Sequence, residues 1–200
     1  ALLQVRLARG NGAFQRACAC SIDDEGETAC YDGVDNDVDG SRDCADPDCA
    51  SSCIITCAPG QSFRSYSATG SWAISDLSTT SVPLAAAVTG SVKKVGVQLG
   101  INHTYDGDLD ISVRNPASAT VLLSDDNGAS GDNYTATVFS DAAAIDIAAG
   151  APPFTGTFRP EGALAAFVGS SLLGTWYLDV YDDTAGDTGT VTSFRLDVCY

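Results

Sequence analysis

Val95-Gly96-Val97-Gln98-Leu99-Gly100-Ile101 sets a branched apolar side chain at every second position, with glycine or glutamine between. That is the period of an extended chain with one buried face. The alternation recurs downstream. Leu109, Ile111 and Val113 alternate with Asp108, Asp110, Ser112 and Arg114, and Trp176, Leu178 and Val180 alternate with Tyr177, Asp179 and Tyr181. Phe194, Leu196 and Val198 alternate with Arg195 and Asp197. Turn-forming residues separate the runs at Asp106-Gly107, Asn115-Pro116, Asp126-Asn127-Gly128, Pro152-Pro153 and Gly186-Asp187. No stretch sustains a helical period, and only Ala142 to Ala149 has the composition of a short helix. Short strands punctuated this way predict an all-β chain, a β-sandwich of jelly-roll type.

Outward from these strands the texture changes twice. The strand-rich zone covers 58–200. Residues 30–57 are rich in Cys and Asp and poor in large apolar side chains, so covalent and metal cross-links must hold them. Residues 1–29 form a leader carrying Arg6, Arg9 and Arg16, with Leu2 to Leu7 as one candidate strand. The chain opens at Ala1 without a methionine or a signal-peptide apolar core and reads as a mature or excised fragment. Eight cysteines, seven of them between Cys18 and Cys57 and the eighth at Cys199, indicate disulfides and an oxidising compartment. Terminal strands of a sandwich commonly lie side by side, so a Cys57–Cys199 bridge is the expected closure of the domain. Zinc on Cys44, Cys49, Cys53 and Cys57 is the competing use of that spacing, disfavoured by the surrounding aspartates, whose hard oxygens suit calcium.

Net charge is −16, from 26 acids against 10 Lys and Arg. Such a surface repels phosphate backbones and anionic membranes, which excludes nucleic acid as a partner class. No apolar run is long enough to span a bilayer. Divalent cations are the natural counter-charge. The sharpest local motif is Asp35-Asn36-Asp37-Val38-Asp39-Gly40-Ser41-Arg42-Asp43-Cys44-Ala45-Asp46, which follows calcium-loop spacing. Alternate residues of a tight loop converge, so Asp35, Asp37 and Asp39 are expected to face one cation, with Gly40 at the turn. Ser41 would add its carbonyl, Asp43 a carboxylate or a water, and Asp46 the closing ligand. The closing residue is Asp rather than Glu and no amphipathic helix flanks the loop, which argues against an EF-hand. From Cys30 to Cys49 the stretch resembles the aspartate-rich, disulfide-tied loops of thrombospondin type 3 repeats.

A second resemblance covers Gln61 to Tyr200. Asn102-His103-Thr104-Tyr105-Asp106-Gly107-Asp108-Leu109-Asp110-Ile111 is similar to the signature of P (Homo B) domains, which accompany secreted subtilisin-like proteases. Matching pieces follow in the family's order. They are Asn115-Pro116 with Thr120 to Leu123, Phe139-Ser140-Asp141-Ala142-Ala143, Phe154-Thr155-Gly156 with Leu164 to Gly169, Gly174 to Val180, and Asp187 to Leu196. Asn115-Pro116 stands where the family has Ser-Pro. The resemblance implies a jelly-roll sandwich that stabilises a neighbouring domain. It also implies calcium on Asp108, Asp141 and Asp182, with Asp106, Asp110 and Asp187 as neighbours.

Nothing in the chain composes a hydrolase site. The one histidine, His103, sits in a strand-like signature, and no Gly-x-Ser-x-Gly elbow is present. The expected function is therefore a non-catalytic, calcium-binding accessory module, secreted or at the cell surface. Its expected partner is a protease catalytic domain or a cell-surface protein. The alternative is a carbohydrate- or cell-envelope-binding module, with Tyr66, Trp72, Tyr105, Tyr134, Tyr177 and Tyr181 as candidate glycan-stacking residues.

Overall fold

A computed structural model describes residues 26–200. Nine strands appear: β1 (Phe63–Ile74), β2 (Ser78–Ala86), β3 (Lys94–Asn102), β4 (Leu109–Arg114), β5 (Thr120–Asp125), β6 (Tyr134–Phe139), β7 (Thr157–Phe158), β8 (Gly174–Asp182) and β9 (Gly189–Cys199). They form a five-stranded sheet in the order β1-β9-β3-β6-β7 and a four-stranded sheet in the order β2-β8-β4-β5. Every pairing is antiparallel except β6 with β7. Apart from the β4–β5 hairpin and the β6–β7 pair, each successive strand crosses to the other sheet, giving a jelly-roll sandwich. The four alternating runs all fall inside strands. The stretch 142–149 contributes a single 3₁₀ turn, Ile147–Ala149, and the described residues contain no α-helix. Accordingly, no helix among them is long and apolar enough to cross a membrane. The expected strand at 2–7, the leader arginines, Cys18 and Cys20 lie outside the described residues.

The inward positions of both sheets interdigitate into one core. Val95, Val97, Leu99 and Ile101 of β3 meet Leu109, Ile111 and Val113 of β4 and Leu178 and Val180 of β8. Trp176 is fully buried, edge-on to Phe167 with ring centroids 5.1 Å apart, and its indole N–H donates to the Leu172 carbonyl at 3.1 Å. The buried indole thus has the partner its polar end requires. Tyr134 stacks on Phe154 at 4.7 Å, and its hydroxyl lies 3.0 Å from the Ser124 hydroxyl.

The Cys- and Asp-rich segment docks on the outer face of the five-stranded sheet. Ile55, Cys44, Phe63 and Cys199 make a second, smaller core, with Ile54, Cys53 and Cys57 packed against it. Gly96 explains how a central strand accepts this cover. A Cβ there would stand 2.5 Å from the Ile54 Cγ2 and 2.7 Å from the Ile55 Cγ2, so only glycine admits both isoleucines. Three disulfides tie the segment: Cys30–Cys49, Cys44–Cys53 and Cys57–Cys199. The four cysteines weighed as zinc ligands are thereby all consumed as bridges. Cys57–Cys199 closes a span of 142 residues and joins the start of the sandwich to its last strand.

Closing so long a loop removes about 5 kcal/mol of unfolded-state entropy in the chain-entropy model. Replacing both Cys57 and Cys199 by alanine is expected to lower unfolding stability by about 4 to 5 kcal/mol. Urea titration of the oxidised protein checks this, and an unchanged midpoint would contradict the staple.

Candidate metal centre

The aspartate ladder folds as a non-repetitive loop whose backbone bends at Val38 (φ 61°), Gly40 (φ 102°) and Asp43 (φ 50°). It does not converge on one point as the spacing predicts. Instead it brings Glu27, Asp35 and Asp37 together, and Asp37 with Asp46 and Asp48, each trio offering ligand oxygens within 4.8 Å of one another. Asp37 belongs to both trios. One oxygen of each of three carboxylates is already committed to the backbone. The Glu27 Oε2 accepts from the Asn36 N–H at 3.1 Å, the Asp35 Oδ2 from Gly40 at 3.1 Å, and the Asp46 Oδ1 from Asp48 at 2.7 Å. Their second oxygens, Glu27 Oε1, Asp35 Oδ1 and Asp46 Oδ2, are buried and have no hydrogen-bond partner among the described residues. Glu27 is only 8% exposed and Asp46 only 1%.

Buried orphan oxygens on carboxylates that crowd one another are costly unless a cation completes them. The titration behaviour points the same way. Burial, with Asp37, Asp46 and Asp32 nearby, pushes the Glu27 carboxyl above its usual range. Burial, with Asp39, Asp46 and Asp35 beside it, does the same to Asp37. The remaining predicted ladder residues turn elsewhere. Asp39 accepts from the Ser41 N–H at 2.7 Å, and Asp43 is buried and accepts from the Gly33 N–H at 3.0 Å. Sequence reasoning missed Glu27 and Asp48. Asp48 stands two residues after Asp46 in an Asp-Pro-Asp run and was visible as a repeat of the ladder. Glu27 sits eight residues before Asp35, where no spacing rule applies.

One end of the sandwich is also crowded with carboxylates. The β1–β2 loop brings Asp76, the β3–β4 loop Asp106 and Asp108, and the β8–β9 loop Asp183 and Asp187, beside Asp110, Asp125 and Asp182 on strands and Asp126 and Asp132 in the β5–β6 loop. No Lys or Arg among the described residues lies at this end. Asp110 and Asp125 are direct cross-strand partners, and with Asp126 they place oxygens within 4.8 Å of one another. The Asp110 Oδ1 is buried and unpartnered, and burial together with Asp125 and Asp126 pushes its carboxyl up to about 7.

The other residues expected here are distributed around that trio. Asp108 is nearly buried, and its carboxyl is raised by burial and by the Asp182 and Asp187 charges. Asp182 is fully buried, 3.3 Å from the His103 Nε2, and Asp187 accepts from the Thr104 hydroxyl at 2.7 Å. Asp106 is fully buried, accepts from the Asn133 N–H at 2.9 Å, and is pushed up to about 7, chiefly by burial. Asp141 lies apart. Its two oxygens accept from the N–H groups of Leu164 and Ala165, both at 2.8 Å, and so cap a 3₁₀ turn (Leu164–Phe167). Asp125 and Asp126 carried no sequence signal beyond their turn character; cross-strand register alone sets them beside Asp110.

Both ring nitrogens of His103 are engaged. Its Nδ1 faces the Tyr105 carbonyl at 2.9 Å, and its Nε2 faces Asp182. Of the aromatic residues weighed for glycan stacking, Tyr134 is in the core, Tyr66 and Trp72 pack against the core, Tyr177 lies under the Arg114 guanidinium at 4.2 Å, and Tyr105 and Tyr181 are exposed.

Residues 92–198 match the family model described as the proprotein convertase P-domain. A calcium-dependent protease of Nostoc sp. is 31% identical over 128 residues, a stretch covering 62% of this chain and 17% of that protein. A calcium-dependent protease of Trichormus variabilis gives the same identity and coverage. The chain thus spans about a sixth of the length of these relatives. Among solved structures, a serine protease of Aeromonas sobria aligns with TM-score 0.47 and 21% identity over 76% of this chain and 29% of its own. The complex of that protease with its chaperone aligns with TM-score 0.47 and 22% identity, covering 75% and 28%. With the family model matched over more than half its length, this chain belongs to the proprotein convertase P-domain family.

Proposed function

We propose that this chain is a non-catalytic, calcium-binding accessory module of a secreted or cell-surface protein, and that its neighbour is a subtilisin-like protease catalytic domain or a cell-surface protein. The observation that carries the reading is the set of buried, unpartnered oxygens on Glu27, Asp35 and Asp46, gathered around Asp37. Hard carboxylate oxygens in a loop of irregular backbone suit calcium, which accepts six to eight oxygens in flexible geometry. Bound calcium would neutralise the repulsion in this loop. The residues' own part is to hold the ligands. Asn36, Gly40 and Asp48 fix one oxygen of each carboxylate by backbone N–H groups and leave the other free to coordinate. The Asp110, Asp125 and Asp126 trio is the second candidate centre. Buried oxygens without hydrogen-bond partners at both places support a module whose loops stiffen when calcium binds. Three disulfides support an extracytoplasmic setting. That the Nostoc and Trichormus relatives are calcium-dependent proteases supports both the ion and the type of neighbour.

Calcium at a hundredfold excess over its dissociation constant stabilises the fold by about 2.7 kcal/mol per site, or about 5 to 10 °C in Tm for a chain of this size. Asp46→Asn keeps the oxygen that caps Asp48 but removes the charge. In chelator this variant is expected to melt at or above the wild-type temperature. In calcium it loses most of the wild-type gain. Melts of both proteins in calcium and in EDTA, with retained calcium counted by native mass spectrometry, check this. Equal calcium gains in the two proteins would contradict the Asp46 site.

Protons compete with calcium for the same crowding. Asp106 binds its proton more tightly folded, near 7, than unfolded, near 3.8. A carboxyl raised on folding adds stability as pH falls from above 7 toward 4, the reverse of a salt-bridged aspartate. The chelated protein is expected to gain about 2 kcal/mol from this group between roughly pH 7.5 and pH 5, and Asp106→Asn to flatten that gain. Urea unfolding at the two pH values measures it.

A further inference from the structure

The described arginines divide into two sets. Arg114, Arg159 and Arg195 are each paired with a carboxylate, Asp179, Asp146 and Asp197 respectively. Arg42 and Arg64 have no carboxylate within salt-bridge reach among the described residues, although the chain carries 26 acids against 10 Lys and Arg. Both line one cleft of about 230 Å³ at the junction of the aspartate loop and the sandwich. No Asp or Glu among the described residues lines it. Its other polar walls are Ser41, Gln61, Ser62 and Tyr200. Two arginines with no salt-bridge partner among the described residues, lining one small polar cleft of an otherwise acidic protein, are suited to receive an oxyanion.

We infer that this cleft binds a single carboxylate presented by a peptide partner. The fork of an arginine matches a carboxylate in plane, and two forks hold one from two sides. The net charge of −16 sets the limit on what carries it. Long-range repulsion turns away dense polyanions, so the ligand is one carboxylate on a neutral or basic segment. The cleft is also built to respond to the metal centre. One wall, Gly40 to Arg42, is the loop whose N–H groups hold the Asp35 and Asp39 carboxylates, at 3.1 Å from Gly40 and 2.7 Å from Ser41. The opposite wall is rigid, since Ser62 and Tyr200 exchange two backbone hydrogen bonds, of 3.0 and 2.9 Å. Ordering of the loop by calcium therefore sets the distance between Arg42 and Arg64. This dependence rests on the calcium reading above; the carboxylate site itself does not.

The test uses the ¹⁵N-labelled 200-residue chain, titrated with N-acetylglycine, with N-acetylglycinamide and with inorganic sulfate. N-acetylglycine is expected to shift the amides of Gly40 to Arg42 and Ser62 to Arg64 saturably, with the amide analogue inert and sulfate weaker. Arg42→Gln and Arg64→Gln, both at solvent-accessible positions, are each expected to weaken binding about tenfold while the rest of the spectrum stays folded. Equal shifts from acid and amide, shifts untouched by both substitutions, or tighter binding of sulfate would overturn the carboxylate site. With EDTA the affinity is expected to fall severalfold. If calcium is counted on the protein and EDTA leaves the affinity unchanged, the link between the two sites is overturned while the cleft stands. If no calcium is bound at all, the metal reading falls and the carboxylate titration is judged by itself.

Discussion

Carboxylates held closer together than water would leave them are the constraint around which this molecule is arranged. Each such group needs a donor, a proton or a cation. Backbone N–H groups satisfy one oxygen each of Glu27, Asp35 and Asp46, and the second oxygen of each is sealed from solvent. Something else must hold them in place. In the aspartate loop that something is covalent: two short bridges within the segment and one long bridge to β9. At the acidic end of the sandwich it is the core, whose fully buried Leu109 and Ile111 fix the register that sets Asp110 opposite Asp125.

The aspartate-rich segment is not a loose appendage under this arrangement. Ile54 and Ile55 press on the outer face of β3 at Gly96, and the bridge fastens the same place to the last residue of β9. The Arg195 guanidinium, itself paired with buried Asp197, lies 4.0 Å over the Tyr31 ring and adds a further contact between segment and sheet. A change in the metal loop is therefore felt by the five-stranded sheet without any long lever. That is the physical form a stabilising accessory role would take.

The strands were legible because side chains on a sheet alternate between its faces, and the apolar members of the runs in β3, β4, β8 and β9 all face the core; the outward Gly96 and Asp197 are buried as well. The closure by Cys57 and Cys199 followed from where the terminal strands of a sandwich must lie. The metal centre was legible only in part. Spacing pointed to Asp35, Asp37 and Asp46, which do fall in the two carboxylate trios, but it could not foresee that Asp39 and Asp43 would stay outside both, because that depends on the positive φ values around Gly40. Glu27, Asp125 and Asp126 are recruited by tertiary contact or cross-strand register, which leave no local pattern. Asp141 reads like its neighbours in sequence, yet the fold brings it against the distant 3₁₀ turn at Leu164–Phe167, whose first N–H groups it caps.

A crystal structure grown in calcium, with data collected for anomalous scattering, addresses the metal centre most directly. An anomalous peak is expected within coordination distance of Glu27, Asp35, Asp37 and Asp46, with their buried oxygens turned toward it. An ordered loop carrying no anomalous peak, with water or a protein donor on those same oxygens, would contradict calcium as the partner these carboxylates are built to hold.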